Sequence, residues 1–384
     1  MSTASVPDVK DQPKSRTQEK IATLQLLRFL AATLVMIGHF QHEIVIASPQ
    51  LARAYGFIPL DWGLGVDIFF VISGFVMFFL AHENFGKPGA SGHFMRRRLI
   101  RIVPLYWFFT TVTLAIAVAT SGSTGGDPLY LPNVIASYLF LPGPRCGEYC
   151  FPVYTLGWTL NYEMLFYVLV AVGLKFPRST GLTVVIVSIA ALMLARIVTP
   201  PSMTMIHFWG LSIVAEFLLG MAICHLFLSG MTLGRQWAIM ALAAGFALAI
   251  LFYQIEAYAV TWRLITGGIP AALIVGGTVL SWRSLPASGL TRFLVGGGDA
   301  SYALYLSHPF VAKAGAAVFA RLGLWDVAPW LYLVAGIFGA IIVAFIIHHY
   351  FELPVTRWFA AKWAGKPLHD RKDHVHLPAG ENAS

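Results

Sequence analysis

The 384 residues are 57% hydrophobic and only 11% charged, with a mean hydropathy of +0.70. A soluble fold carries roughly 25% charged residues, so the solvent for most of this chain is lipid; a soluble multidomain enzyme, a disordered chain, a coiled coil and a nucleic-acid binder are excluded. The net charge of +8 then reads as a topology signal rather than a nucleic-acid footprint.

Residues 1–20 are polar and charged and lack a small-residue cleavage pattern, so they read as a cytoplasmic tail ahead of a signal-anchor helix. A spanning helix needs ~20 mostly apolar residues. Ten segments qualify: 22–46, 63–82, 102–120, 152–174, 180–199, 207–228, 236–254, 262–281, 300–320 and 329–351. Loop chemistry separates them, as in the Gly- and Ser-rich run 121–126 and at Pro200, Pro201 and Pro286. Residues 352–366 mix aromatic and basic side chains and read as a helix lying at the inner interface. The last stretch is expected to be disordered.

The positive-inside rule orients this all-α, polytopic arrangement of about ten transmembrane helices. With the N-terminus inside, all but six of the 26 Lys and Arg fall on the cytoplasmic side. The exceptions are Arg53, Arg145, Arg196, Arg263, Lys313 and Arg321. The expectation is therefore a tail over 1–20, a transmembrane domain over 21–352, and an interfacial helix with a tail over 353–384, both ends cytoplasmic. Cys146 and Cys150 fall in an outer loop as a CxxxC, either a small disulfide or two free thiols. No nearby Cys or His completes a zinc set around them, so no metal is expected. Cys224, in an apolar run, reads as a core residue.

Ionisable residues inside a span are functional candidates by default. Arg28 and His39 lie 11 residues apart in the first span, within ~20° of one helix face and ~16 Å apart along the axis. They form a polar stripe from the inner leaflet outward, extended by Gln41, His42 and Glu43. Taken as an isolated pair, Arg28 snorkelling and His39 bonding a neighbouring helix would suffice. Other features accompany it: Asp67 and a Ser73-Gly74 weak point in residues 65–75; Arg96, Arg97, Arg98 and Arg101 ahead of Pro104; Trp158 and Glu163 in residues 158–167; Tyr302 and His308 in residues 298–309; and Glu352 before Pro354. Glu216 stands alone in the sixth span. The arginines serve topology, and a guanidinium cluster at a helix mouth also suits a pyrophosphate.

In their order, and over about 330 residues, these segments resemble the acyltransferase family 3 membrane proteins, transmembrane O-acyltransferases that decorate bacterial polysaccharides. The resemblance implies a multi-pass protein of the bacterial inner membrane. It would move an acyl group, most simply acetyl, from cytoplasmic acyl-CoA to a hydroxyl of an extracytoplasmic or lipid-linked glycan. Its partners would be membrane lipid, the glycan acceptor and the acyl-CoA donor.

Moving an acyl group from a thioester to a hydroxyl needs a base or a nucleophile, and stabilisation of an oxyanion. His39 is expected to be the base or a transient acyl carrier. Arg28, Glu163 and Asp67 are assigned to the catalytic site with it. The four arginines 96, 97, 98 and 101 are assigned to the CoA phosphates, and Trp158, Tyr302 and His308 to the substrate. The chain contains no Gly-x-Ser-x-Gly elbow, and no Gly-rich phosphate loop of the GxxxxGK or GxGxxG type. A proton-coupled exporter or flippase is the rival class. Within the enzyme class, a succinyl donor or a small-molecule acceptor is the alternative.

Overall fold

A backbone immersed in hydrocarbon has to satisfy its own hydrogen bonds, and helices do so within one segment. In a computed structural model, residues 16–47, 61–120, 130–143, 151–255, 262–281, 288–325 and 327–363 are described. Among them no β-strand is formed beyond one isolated bridge, Leu233 to Ser281. Cys146 and Cys150 lie outside the described residues, as does the tail beyond residue 363.

The helices run in chain order. They are α1 (Arg16–Ala47), α2 (Leu64–Ala81), α3 (Ala90–Thr120), the short α4 (Leu131–Tyr138), α5 (Gly157–Gly173), α6 (Arg178–Val198) and the short α7 (Thr204–Trp209). A 3₁₀ turn, Ser212–Ala215, leads into α8 (Glu216–Leu228). After α9 (Arg235–Gln254), a π-helical turn, Leu264–Gly268, leads into α10 (Ile269–Val279). There follow α11 (Gly289–Asp299), α12 (Ser301–Leu322) and α13 (Pro329–Ile347), which a second π-helical turn, His348–Glu352, joins to α14 (Leu353–Trp363).

Each of the ten apolar segments is largely helical, with changes of boundary: the fourth helix begins at Gly157 rather than near residue 152, and the sixth segment is broken between Trp209 and Ser212. The third helix begins at Ala90, not near residue 102, so Arg96 to Arg101 ride on the helix rather than in the loop before it. Pro104 sits inside it without ending it. The tenth is not closed at Glu352: the π-helical turn carries it onward into α14.

Among the described residues, six helical stretches can cross a membrane by length and composition: Ala22–Ala47, Leu64–Ala81, Ala90–Thr120, Arg178–Val198, Arg235–Gln254 and Pro329–Trp363. This makes the chain a membrane protein. The other apolar helices are shorter or more polar for identifiable reasons. The stretches Ser212–Leu228 and Leu264–Val279 contain the irregular turns. α5 has 17 residues and carries Asn161 and Glu163, and α12 carries Ser307, His308 and Lys313. Polar residues and irregular backbone collect on these elements, which is where membrane proteins place their sites.

At the centre, α2 packs most extensively on α8. A Cβ on Gly74 would strike the Phe217 carbonyl oxygen, and one on Gly220 the Val71 carbonyl oxygen, so two backbones touch where both residues are glycine. Lipid tails give helices no hydrophobic reason to associate; close backbone approach supplies van der Waals contact instead. Phe70, Phe166 and Phe217 stack beside this contact, with centroids 4.7 and 4.3 Å apart. α1 lies against α2, α11 and α12, and α3 against α5. These helices enclose the cavity described next.

Candidate active site

A cavity of about 90 Å³ lies between α1, α2, α3, α5 and α12. At ~10–15 Å³ per water position it has room for several waters or for the narrow end of an extended ligand. Arg28, Arg98 and Arg101 line one end; Thr159 and Tyr305 line the other, and Ser73, Glu163, Tyr167 and Tyr302 lie on the walls. This order follows from antiparallel packing: Thr159 meets Tyr305, and the earlier Tyr154 donates to the later Leu306 carbonyl at 2.6 Å.

Burial and position separate the arginines. Positions 98 and 101 are one turn apart on α3 and share a face, and both line the cavity. Arg98 is buried, beside the Phe94 ring, and its Nε has no hydrogen-bond partner. Arg97 is exposed and sits beside His93, 3.4 Å from its Nε2. Arg96 lines a separate open groove with Lys362 and Trp363 of α14. The expected four-arginine cluster is thus divided, and the third cavity guanidinium is Arg28 from α1. Arg28 Nη1 donates to Gln25 Oε1 at 3.1 Å, and the Gln25 amide donates to Asp299. Glu163, Asp299 and Glu352 all act electrostatically on Arg28, so its positive charge faces carboxylates from α5, α11 and the turn after α13.

Glu163 is the acid of the cavity. It accepts from Ser73 Oγ at 3.1 Å and from the Tyr167 hydroxyl, one turn further along α5. Tyr302 donates to the Ile102 carbonyl at 2.8 Å and ties α12 to α3. Tyr305 pairs with Thr159 Oγ1 at 2.9 Å and closes the far end. Trp158 is not on the lining; it packs edge-to-face on Tyr162.

His39 does not line the cavity either. Its ring lies edge-on to the ring of His308, centroids 4.9 Å apart at 69°. His308 in turn neighbours Tyr305, ring centroids 6.2 Å apart, and Tyr305 lines the cavity, so the two histidines lie next to it without lining it themselves. In both histidines Nδ1 meets a carbonyl one turn back, Val35 for His39 and Leu304 for His308, each at 2.9 Å. A carbonyl only accepts, so Nδ1 carries the proton and Nε2 is left as the bare base. His308 is fully buried, and its Nε2 has no partner.

Asp67 belongs to a different place. It is fully buried and held by Arg263, Nε to Oδ1 at 2.8 Å and Nη2 to Oδ2 at 3.1 Å; Arg263 Nη2 also donates to the Gly63 carbonyl at 3.0 Å. Glu216 interacts with this pair and is equally buried. The π-helical turn before α10 lies directly on both acids: a Cβ on Gly267 would sit 2.5 Å from the Asp67 carboxylate, and one on Gly268 2.9 Å from Glu216 Cγ. Buried Asp67 is paired with Arg263 and half-buried Glu163 with Ser73 and Tyr167, but only Glu163 faces the cavity.

Sequence reasoning singled out Arg28, Arg98, Arg101, Glu163 and Tyr302 among the cavity residues. It missed Ser73 as a ligand of Glu163, Gln25 and Asp299 behind Arg28, and Arg263 as the partner of Asp67. The last pair is 196 positions apart, and nothing local announces it. Helical period alone sets position 101 near both 97 and 98, so the separation of Arg98 and Arg101 from Arg96 and Arg97 came only with the structure. Among the described residues, no group of three or more His, Cys, Asp or Glu comes together as a metal would need.

Comparison with known proteins places this arrangement. The acyltransferase domain family matches residues 21–349, and the chain belongs to that family. It is 39% identical over 268 residues to the exopolysaccharide production protein ExoZ of Rhizobium meliloti (strain 1021), covering 66% of this chain and 79% of that protein. It is 24% identical over 322 residues to the acyltransferase MdmB of Streptomyces mycarofaciens, covering 77% and 80%. No solved structure matches the chain.

Proposed function

We propose that this membrane acyltransferase moves an acyl group, acetyl in the first instance, from cytoplasmic acyl-CoA to a hydroxyl of a glycan presented at the outer side of a bacterial inner membrane. The observation that carries this reading is a cavity with three guanidinium groups at one end and, beside the tyrosine at the other, two histidines with bare Nε2 atoms. The pyrophosphate and ribose phosphate of CoA suit guanidinium forks. The narrow pantetheine arm suits the cavity, whose apolar walls come mainly from α2, with Ile102 of α3 and Leu160 of α5. His39 acts on the acyl carbon or on the incoming hydroxyl, and Arg28 orients the donor. The name of the ExoZ relative supports a polysaccharide acceptor.

Ten crossings with both ends inside are part of this reading. It is supported by where partners meet. Arg28, Arg98, Arg101 and Asp299, all expected at inner ends, interact across helices, and so do Asp67 and Arg263, both expected at outer ends. The donor end of the cavity is then cytoplasmic, where CoA is found.

The test is transfer by purified protein in nanodiscs, with [acetyl-¹⁴C]acetyl-CoA and the lipid-linked glycan fraction of the producing cells. Label should appear on the glycan and be released by mild alkali, as an ester is. Absence of transfer, with movement of the glycan across proteoliposomes instead, would assign the chain to the exporters.

A further inference from the structure

The two histidines are locked in the same tautomer, and each carries a bare Nε2. One base is enough for a direct transfer in which donor and acceptor meet. A second, fully buried at His308, has no hydrogen-bond partner and is not used by that scheme. A buried polar atom without a partner is costly, and native structures keep few of them. The two rings touch at 4.9 Å, near enough to serve the same acyl carbon in turn. Tyr305, hydrogen-bonded to Thr159, lines the donor cavity and neighbours His308, which sets the two histidines beside that end of it.

We propose that the two histidines divide the reaction: His39 carries the acyl group, and His308 is the base that activates the acceptor hydroxyl. This assignment rests on the acyltransferase reading above. In the first step His39 Nε2 forms an N–C bond to the acyl carbon, the C–S bond breaks, and CoA leaves as the thiolate. His39 is then an acylimidazolium, its Nδ1–H still on the Val35 carbonyl. In the second step the acceptor oxygen forms the O–C bond, and the N–C electron pair returns to His39 Nε2. The hydroxyl proton passes to His308 Nε2. That proton finally neutralises the thiolate, so acyl-CoA plus alcohol gives ester plus free CoA. The neighbouring groups that bear on any pH dependence are His42 and Glu43 of α1 and Lys313 of α12.

The division predicts a burst. Wild-type protein in nanodiscs, mixed with acetyl-CoA and no acceptor, should release up to one CoA per chain, and intact-mass analysis should find one acetyl group on a peptide containing His39. His308→Asn keeps a donor for the Leu304 carbonyl and removes the second nitrogen. It should keep the burst and lose transfer to the lipid-linked glycan fraction by about a hundredfold, within the usual range for a general base. His308→Gln serves as a second variant with the same expected split, and a retained burst reports a folded donor site in either. His39→Gln should lose both steps. Transfer near the wild-type rate in both His308 variants overturns the assignment. So does wild-type transfer without a burst, or loss of the burst in His308 variants that unfold at the wild-type temperature. Wild-type protein that consumes no acetyl-CoA, with or without acceptor, overturns the acyltransferase reading itself.

Discussion

Two clusters of ionisable residues are buried in this fold, and they are built differently. Around Asp67, Arg263 and Glu216 the helices are packed shut: Arg263 grips both carboxylate oxygens of Asp67, and two glycines let the turn before α10 rest on the acids. Around Arg28, Arg98 and Glu163 there is open volume, and Arg98 Nε is left without a partner. Burial and charge are common to both clusters. Buried atoms without a hydrogen-bond partner occur in both, Arg98 Nε in one and the two Glu216 carboxylate oxygens in the other; open volume belongs to one of them. That distinction separates a cluster that holds helices together from one that can receive a ligand, and it corrects any inference drawn from buried charge alone.

The comparison can be broken by substitution. The largest expected effect is at the edge of the open cluster. His39→Gln keeps approximate volume and removes the basic nitrogen; it should lower acetyl transfer by ~10²–10⁴-fold at unchanged membrane levels, measured with labelled acetyl-CoA. Substantial residual activity would make the first-helix stripe structural and move the search for a base to His308 or Glu163.

In the closed cluster the effect should fall on stability. Arg263→Ala strands a buried carboxylate, and breaking such a pair costs about 3–5 kcal/mol. Thermal unfolding in detergent should drop well below wild type, while whatever protein remains folded keeps its affinity for acyl-CoA. An Arg263 variant of normal stability with a raised KM for the donor would merge the two clusters into one site.

The smallest effect sharpens the boundary of the open cluster. Arg98→Ala removes a charge-assisted contact worth about 1.5–3 kcal/mol, so the KM for acyl-CoA should rise roughly tenfold or more. Arg96→Ala should change it by less than about twofold, since a surface charge contributes little. Equal effects at the two positions would restore a single four-arginine site.

These contrasts mark how far the sequence alone reaches. Each of the ten apolar segments is largely helical, because a run of ~20 apolar residues has one stable backbone in lipid. Arg28, Arg98, Arg101, Glu163 and Tyr302 could be picked out because polar residues in apolar helices are conspicuous, and each does line the cavity. Partners were not legible. Asp67 was expected beside the catalytic residues and is held by Arg263 instead, from a helix nearly two hundred positions away. His39 was expected to share a line with Arg28, but the tertiary packing gives Arg28 to the cavity and sets His39 against His308. Helical period fixes which face a side chain occupies; it does not fix what the facing helix brings to it.

The tyrosine at the end of the cavity beside His308 has a consequence beyond the reaction. An enzyme that joins a substrate from one face of a bilayer to a substrate from the other has to do so without joining the two faces electrically. Each charge that crosses dissipates about 2.3 kcal/mol for every 100 mV of membrane potential, and a continuous file of water would let protons through many times per turnover. Tyr305, hydrogen-bonded to Thr159 and packed on Phe69, occupies the end of the cavity beside His308. In the proposed reaction, with donor and acceptor on opposite faces, that ring is placed to keep the proton gradient of the cell from leaking through the enzyme.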